Sequence, residues 1–340
     1  VNIHRVPSLL TPYITSQEYI QRYHTHGQKK AGMYGSNLFE EVDRFAAAAS
    51  EIAKKESYDI IHAHDWLAYP AGIAAKEISG KPLVVHVHAT EYDRSGESVN
   101  FPVFEIERAG MHAADHVVAV SQLTKNICVR KYGIPPEKVT VLHNAVLDAS
   151  IIKSSFQKKV PEKIVTFLGR ITYQKGPEYF VEAAKKVIER DPNVRFVMAG
   201  SGDLLNKMVD RVAELRMGTK FHFTGFLKGD DVDHMYAISD VYVMPSVSEP
   251  FGIAPLEAVR HNTPVIISKQ SGVAEVLNNA IKIDFWDVDA MADAIFGLLH
   301  YQSIARMFTE LGADELKKLK WEHVAAKLVT VYEKTLAQRA

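Results

Sequence analysis

The run DVYVMPSVSEPFGIAPLEAV, residues 240–259, holds the three parts on which the fold turns. Val241, Tyr242, Val243 and Met244 form a short apolar stretch rich in β-branched and aromatic residues, which reads as a strand. A loop of Pro, Ser and Gly follows. Pro255 then stands where a helix opens, at the first-turn position that suits proline, so the amides around Phe251 to Ala254 are expected to point outward. The loop carries Glu249, and Glu257 lies about one turn inside the helix. Two carboxylates placed in this way can accept hydrogen bonds from the hydroxyls of a polyol such as ribose or a hexose. A capped helix with surface glutamates is the plainer account, and it leaves an acid at each end of a Gly-Pro loop unexplained.

Working outward, the same alternation of short apolar runs and amphipathic segments recurs, which is the mark of parallel strands joined by crossover helices. The class is α/β. Strands are expected at 59–64, 83–88, 116–120 and 139–142, then at 164–169, 195–199, 220–223, 241–244 and 264–267. Residues 143–160 lack periodicity and read as a linker. From 287 onward the pattern is helical, closing on the amphipathic run WEHVAAKLVTVYEKTL. Two such units in tandem suggest two facing Rossmann-like domains. Ligands on these sheets sit outside the carboxyl ends of the strands, so the loops after each strand matter most.

After the first strand of the second unit comes GRITYQKG, residues 169–176, a Gly-bracketed loop with Arg170 and Lys175 ahead of a helix. A planar guanidinium, a point charge and a helix N-terminus together suit a diphosphate, although a solvated turn with surface cations is an equally simple reading. Gly200 and Gly202 in AGSGD could bring amides close to a ligand or could merely turn the chain into a helix. In TGFL, Phe226 and Leu227 could pack on a base or close the core.

The first unit offers His62 and His64 at the end of one strand and His86 and His88 at the end of the next, each pair on one face by alternation. With His24 and His26 these make a metal hydrolase the rival class. Asp65 follows His64 directly and no further ligand stands at familiar spacing, so His62 and His86 are expected to be buried, hydrogen-bonded histidines. The acids of Asp231-Val232-Asp233 and Asp287-Val288-Asp289 precede helical segments and are assigned to helix capping. No divalent metal and no cofactor are expected.

The bulk numbers agree. A chain of 340 residues, 47% hydrophobic, can hold two ordinary cores. Forty Lys and Arg balance 41 Asp and Glu, which leaves no footprint for nucleic acid or an anionic membrane. The single cysteine, Cys128, excludes an internal disulfide and fits a reducing compartment, so a cytoplasmic location is expected. No apolar run is long enough to span a bilayer.

Taken together, GRITYQKG, AGSGD, FTGFL, DVYVMPSVSEPFGIAPLEAV and SGVAEVL in the second unit, with HAHDW, HVHATEYDR, VSQLTKN and VLHNAV in the first, resemble the retaining glycosyltransferases of family 4 and the related glycogen and starch synthases. The resemblance covers nearly the whole chain and implies the GT-B fold. It implies an acceptor-side Rossmann-like domain at 1–148, a nucleotide-sugar-binding one at 149–320, and a final helix at 321–340 crossing back to the first. Arg170 and Lys175 would hold the donor diphosphate, with Gly169, Gly200 and Gly202 around it. Glu249 would contact the transferred sugar beside the Phe251, Gly252 and Ile253 amides. Glu257 would hold the ribose, and Phe226 and Leu227 would meet the base. His88, chosen over His86 because it lies nearer the strand end, would reach the sugar, with Asp65 and Arg94 on the acceptor side. The partners implied are a nucleoside-diphosphate sugar and a carbohydrate acceptor, without nucleic acid; the oligomeric state is left open. The family begins with a strand and a glycine-rich loop that are not found ahead of Val1, so the first domain is expected to lack its opening strand, and such a fragment to bind donor with little transfer. The HVHATEYDR and HDW runs favour a glucosyl group and an α-glucan acceptor. A nucleotide-sugar epimerase, a disaccharide phosphorylase and a non-catalytic sugar-nucleotide binder are the alternatives.

Overall fold

The computed structural model describes residues 2–6, 38–146 and 158–338. The chain divides into two compact units. Residues 1–92, 96–142 and 325–340 form the first; residues 93–95 and 143–324 form the second. The boundary expected at 148/149 and most of the linker fall outside the described residues, as do His24 and His26.

Unit 1 holds α1 (Leu38–Ala53), β1 (Ile61–His64), α2 (Tyr69–Ser79), β2 (Leu83–Val87), α4 (Phe101–Ala113), β3 (His116–Ala119), α5 (Gln122–Tyr132) and β4 (Val139–Val141), and the short α3 (Glu91–Ser95) begins in it while its residues 93–95 group with unit 2. Its described strands form one parallel sheet in the order β1-β2-β3-β4. Central strands of such a sheet are covered on both faces and so read as unbroken apolar runs. All five residues of Leu83-Val84-Val85-His86-Val87 are buried, and His86 is the one polar member. Leu83, Val85, Val117, Ala119 and Met111 make the core with Trp66 and Tyr69, and the lone thiol of Cys128 is buried among them.

Unit 2 holds β5 (Lys163–Leu168), α6 (Pro177–Arg190), β6 (Val194–Ala199), α7 (Leu205–Glu214), β7 (Phe221–Gly225), α8 (Asp230–Ile238), β8 (Val241–Met244), α9 (Ala254–Arg260), β9 (Val265–Ser268), β10 (Ile281–Ile283), α10 (Val288–His300) and α11 (Gln302–Leu316). The strands are again parallel, in the order β10-β9-β8-β5-β6-β7. Phe167, Phe180, Phe196 and Phe221 form the aromatic centre of its core. A last helix, α12 (Trp321–Ala337), groups with unit 1 from Ala325 onward.

Two expectations are corrected. The three-residue strand β10 was not anticipated. Asp233 does not cap α8: its carboxylate accepts from Arg260 and His261, both at 2.9 Å, and the N-cap is Gly229. Asp287 does cap α10, its side chain accepting from the Ala290 amide at 2.9 Å.

Candidate active site

The chain order of the second sheet reverses between β5 and β8, and the crevice at the carboxyl ends of those two strands is where doubly wound sheets bind ligands. The loops leaving β5 and β8 meet there. Gly176, at φ +63°, lets them touch, because a Cβ at that position would come within 2.1 Å of the Pro245 carbonyl oxygen. The Val247 amide donates to the Gln174 carbonyl at 2.9 Å and fixes the contact. On the other side the β6 loop closes on the β5 loop: Ile171 N donates to Ser201 O at 2.9 Å, and a Cβ on Gly200 would come within 1.8 Å of the Gly169 carbonyl oxygen. Gly200 and Gly202 therefore pack loop on loop, which neither account read from the sequence had offered.

Lys175 and Glu249 form an ion pair across these loops. Glu249 is buried, and the same carboxylate oxygen accepts from Ser246 Oγ at 3.2 Å. Its backbone is held on both sides, its amide donating to Gln270 O and its carbonyl accepting from Gly272 N, each at 2.9 Å. Arg170 is exposed in the same loop as Lys175 and donates to the buried Gln174 side chain at 2.9 Å. Thr172 Oγ1 is buried there without a partner. Among the described residues the amides of Phe251, Gly252 and Ile253 make no backbone hydrogen bond, which leaves three donors beside Glu249. Phe251 itself is buried, while Ile253 is exposed.

Glu257 lies one turn into α9 and accepts from the Tyr236 hydroxyl at 3.3 Å. Burial pushes its carboxyl above the ordinary carboxylate value, partly offset by Tyr236 and Arg260. Phe226 and Leu227 part company. Phe226 is exposed, whereas Leu227 packs against the cluster of Ile164, Val197 and Met235.

In unit 1 the register of β1 against β2 sets His64 opposite His86. Alternation puts His62, His64, His86 and His88 on one face, where their rings form a continuous array. Centroids are 4.2 Å apart for His62 and His64, 5.1 Å for His64 and His86, and 4.3 Å for His86 and His88. His64 Nδ1 lies 2.8 Å from His88 Nε2, and His62 Nδ1 lies 2.6 Å from the Tyr332 hydroxyl of α12. His62 is thus half-buried and hydrogen-bonded, close to expectation. His86 is not, because neither of its ring nitrogens has a partner although it is 7% exposed. Burial, with the neighbouring imidazoles adding to it, lowers His62 to about 4 and His86 to about 2, and holds His64 below its ordinary value.

Asp65 turns the chain out of β1 at φ +58°, and its carboxylate accepts from the His88 amide at 2.8 Å and the Ala89 amide at 3.3 Å. It positions the backbone that carries His88. Arg94 is half-buried on α3, and its flanking residues 93 and 95 group with it in unit 2.

The sequence profile described as "Glycosyl transferases group 1" matches residues 148–314, and "Glycosyltransferase Family 4" matches residues 8–148. An uncharacterised glycosyltransferase of Methanocaldococcus jannaschii is 31% identical over 315 residues, covering 84% of this chain and 79% of the relative. The chain belongs to glycosyltransferase family 4.

This glycosyltransferase is also 28% identical over 326 residues to the alpha-maltose-1-phosphate synthase of Mycolicibacterium smegmatis, with 86% of this chain and 83% of that one covered. The structure of Anabaena HepE in complex with UDP and glucose superposes with a TM-score of 0.73 at 18% identity, covering 93% of this chain and 89% of the other. That likeness is one of fold, and the fold is GT-B. No described helix of the enzyme is long and apolar enough to cross a membrane.

Proposed function

We propose that this glycosyltransferase moves a hexosyl group, most naturally glucosyl, from a nucleoside-diphosphate sugar to a sugar or α-glucan acceptor, with retention at the anomeric carbon and without a metal ion. The observation that carries the reading is the Lys175–Glu249 ion pair at the switch point of the second sheet, with Arg170 in the same loop.

The pair holds two groups that a donor needs separately. A diphosphate entering beside Lys175 competes for its ammonium, and Glu249 is then released to accept hydrogen bonds from the hydroxyls of the sugar. As the bond from the anomeric carbon to the diphosphate oxygen breaks, negative charge grows on that oxygen. Lys175, Arg170 and the Phe251 to Ile253 amides are positioned to meet it. The acceptor hydroxyl forms the new bond on the face the diphosphate leaves, and its proton passes to a phosphate oxygen of the departing nucleotide. Glu257 takes the ribose hydroxyls, and the exposed ring of Phe226 serves the base. The maltose-phosphate synthase relative and the HepE complex support a glucosyl group and a nucleotide leaving group.

Calorimetric titration with ADP-, UDP- and GDP-glucose tests the donor site. One of them binds, and Lys175→Ala weakens it by roughly tenfold or more, the size of a lost charge-assisted contact. Equal affinity in the variant rejects the site.

A further inference from the structure

The four-imidazole array of unit 1 contains more than a residue reaching toward a sugar. His62, His64 and His86 each offer a ring nitrogen, and these nitrogens lie within 4.8 Å of one another. His62 Nε2 and both nitrogens of His86 are buried without a partner, although buried polar atoms are nearly always satisfied. A buried imidazole with both ring nitrogens unpaired, flanked by two more on the same sheet face, offers the nitrogen donors that a borderline divalent ion takes. Leu, Val or Phe at position 86 would fill a strand that is otherwise wholly apolar without that cost.

We infer that His62, His64 and His86 form a binding site for a divalent first-row transition ion of the zinc type. Three neutral imidazoles suit zinc, copper or nickel and leave further coordination positions open. Ligand nitrogens around a tetrahedral zinc at ~2.0–2.1 Å sit roughly 3.4 Å apart, so the rings close in by about an ångström when the ion binds. His62 is already oriented for this. Its Nδ1 lies 2.6 Å from Tyr332 Oη, and in the tautomer that carries the proton on Nδ1 this contact leaves Nε2 as the ligand atom, the usual arrangement of a metal-bound histidine and its oxygen partner. The exposed His64 gives the ion its way in, and binding draws that ring away from His88. The ion has no part in the transfer step proposed above, and the site lies on a different sheet from the Lys175–Glu249 pair.

The test uses the untagged full chain, stripped with chelator and then equilibrated with zinc or cobalt. Elemental analysis is expected to find one zinc per chain after removal of unbound metal, and the cobalt form is expected to show the intense visible bands of low-coordinate Co(II). His86→Leu and the exposed His64→Gln, each checked for folding by circular dichroism, are expected to bind roughly tenfold more weakly or worse. Substoichiometric zinc in the wild type overturns the proposal. So does equal occupancy in both folded variants, which would place the ion on other histidines.

Discussion

Replacing Lys175 by Met strips the counter-charge from Glu249, a carboxylate whose side chain is only 8% exposed and whose remaining partner in the loop is Ser246. Breaking a buried pair from one side costs about 3–5 kcal/mol, because the surviving charge is left desolvated. With the Ser246 hydroxyl still in place the lower end applies, about 3 kcal/mol, which for a unit of this size lowers the thermal midpoint by about 6–12 °C. Glu249→Gln alone costs less, about 1 kcal/mol, since the Lys175 ammonium sits on a side chain 20% exposed and can turn to water. The double variant carries no orphaned charge, so it is expected to regain most of the loss while failing to bind donor. Denaturation followed by circular dichroism, with nucleotide titration on the same samples, measures both. If the double variant is as unstable as Lys175→Met, or if it binds the nucleotide sugar normally, the argument that the pair is kept for the donor fails.

Three further outcomes follow from single side chains. The Glu257 carboxyl is raised above 4.5 by burial, so its stabilising contribution is full below that pH and is lost as pH rises through the folded value; Glu257→Gln is therefore expected to be the more stable protein at pH 7–8 by about 1 kcal/mol, with the gap closing in acid, while binding nucleotide more weakly. Gly200→Ala drives a Cβ into the Gly169 carbonyl, and a loss of about 3 kcal/mol or more is expected in urea unfolding, together with weaker donor binding. Asp65→Ala removes the acceptor for the His88 and Ala89 amides and should lower kcat through a misplaced His88, whereas Asp65→Asn, which keeps an acceptor oxygen and tolerates positive φ, should restore most of it.

The fold was largely legible because buried parallel strands such as Val241–Met244 are continuous apolar runs of a recognisable length. β10 was not, since three residues carry too little pattern. Arg170, Lys175, Glu249 and Glu257 were singled out from loop composition and family resemblance, but the pairing of Lys175 with Glu249 was not legible. The Lys175–Glu249 pair spans 74 residues of sequence and follows from the strand order, which places β5 beside β8. Strand order also separates two neighbours in sequence, exposing Phe226 while Leu227 enters the core. The meeting of the four histidines, and the lack of a partner for His86, were not legible for a related reason. Two His-x-His pairs look like separate strand ends until the register sets His64 against His86, and only then do four rings share one face. That register was the usable signal, because adjacent parallel strands ending in the same pattern invite alignment of their ends.

The central claim is a retaining, metal-independent transfer from a nucleoside-diphosphate sugar. It is tested most directly by incubating the full-length protein with α-linked ADP-, UDP- and GDP-glucose and oligosaccharide acceptors in excess chelator, and reading the anomeric signal of the product by proton NMR. The account predicts an α-linked glucoside formed at an undiminished rate. A β-linked product, or a product that vanishes when metal is chelated, would contradict it.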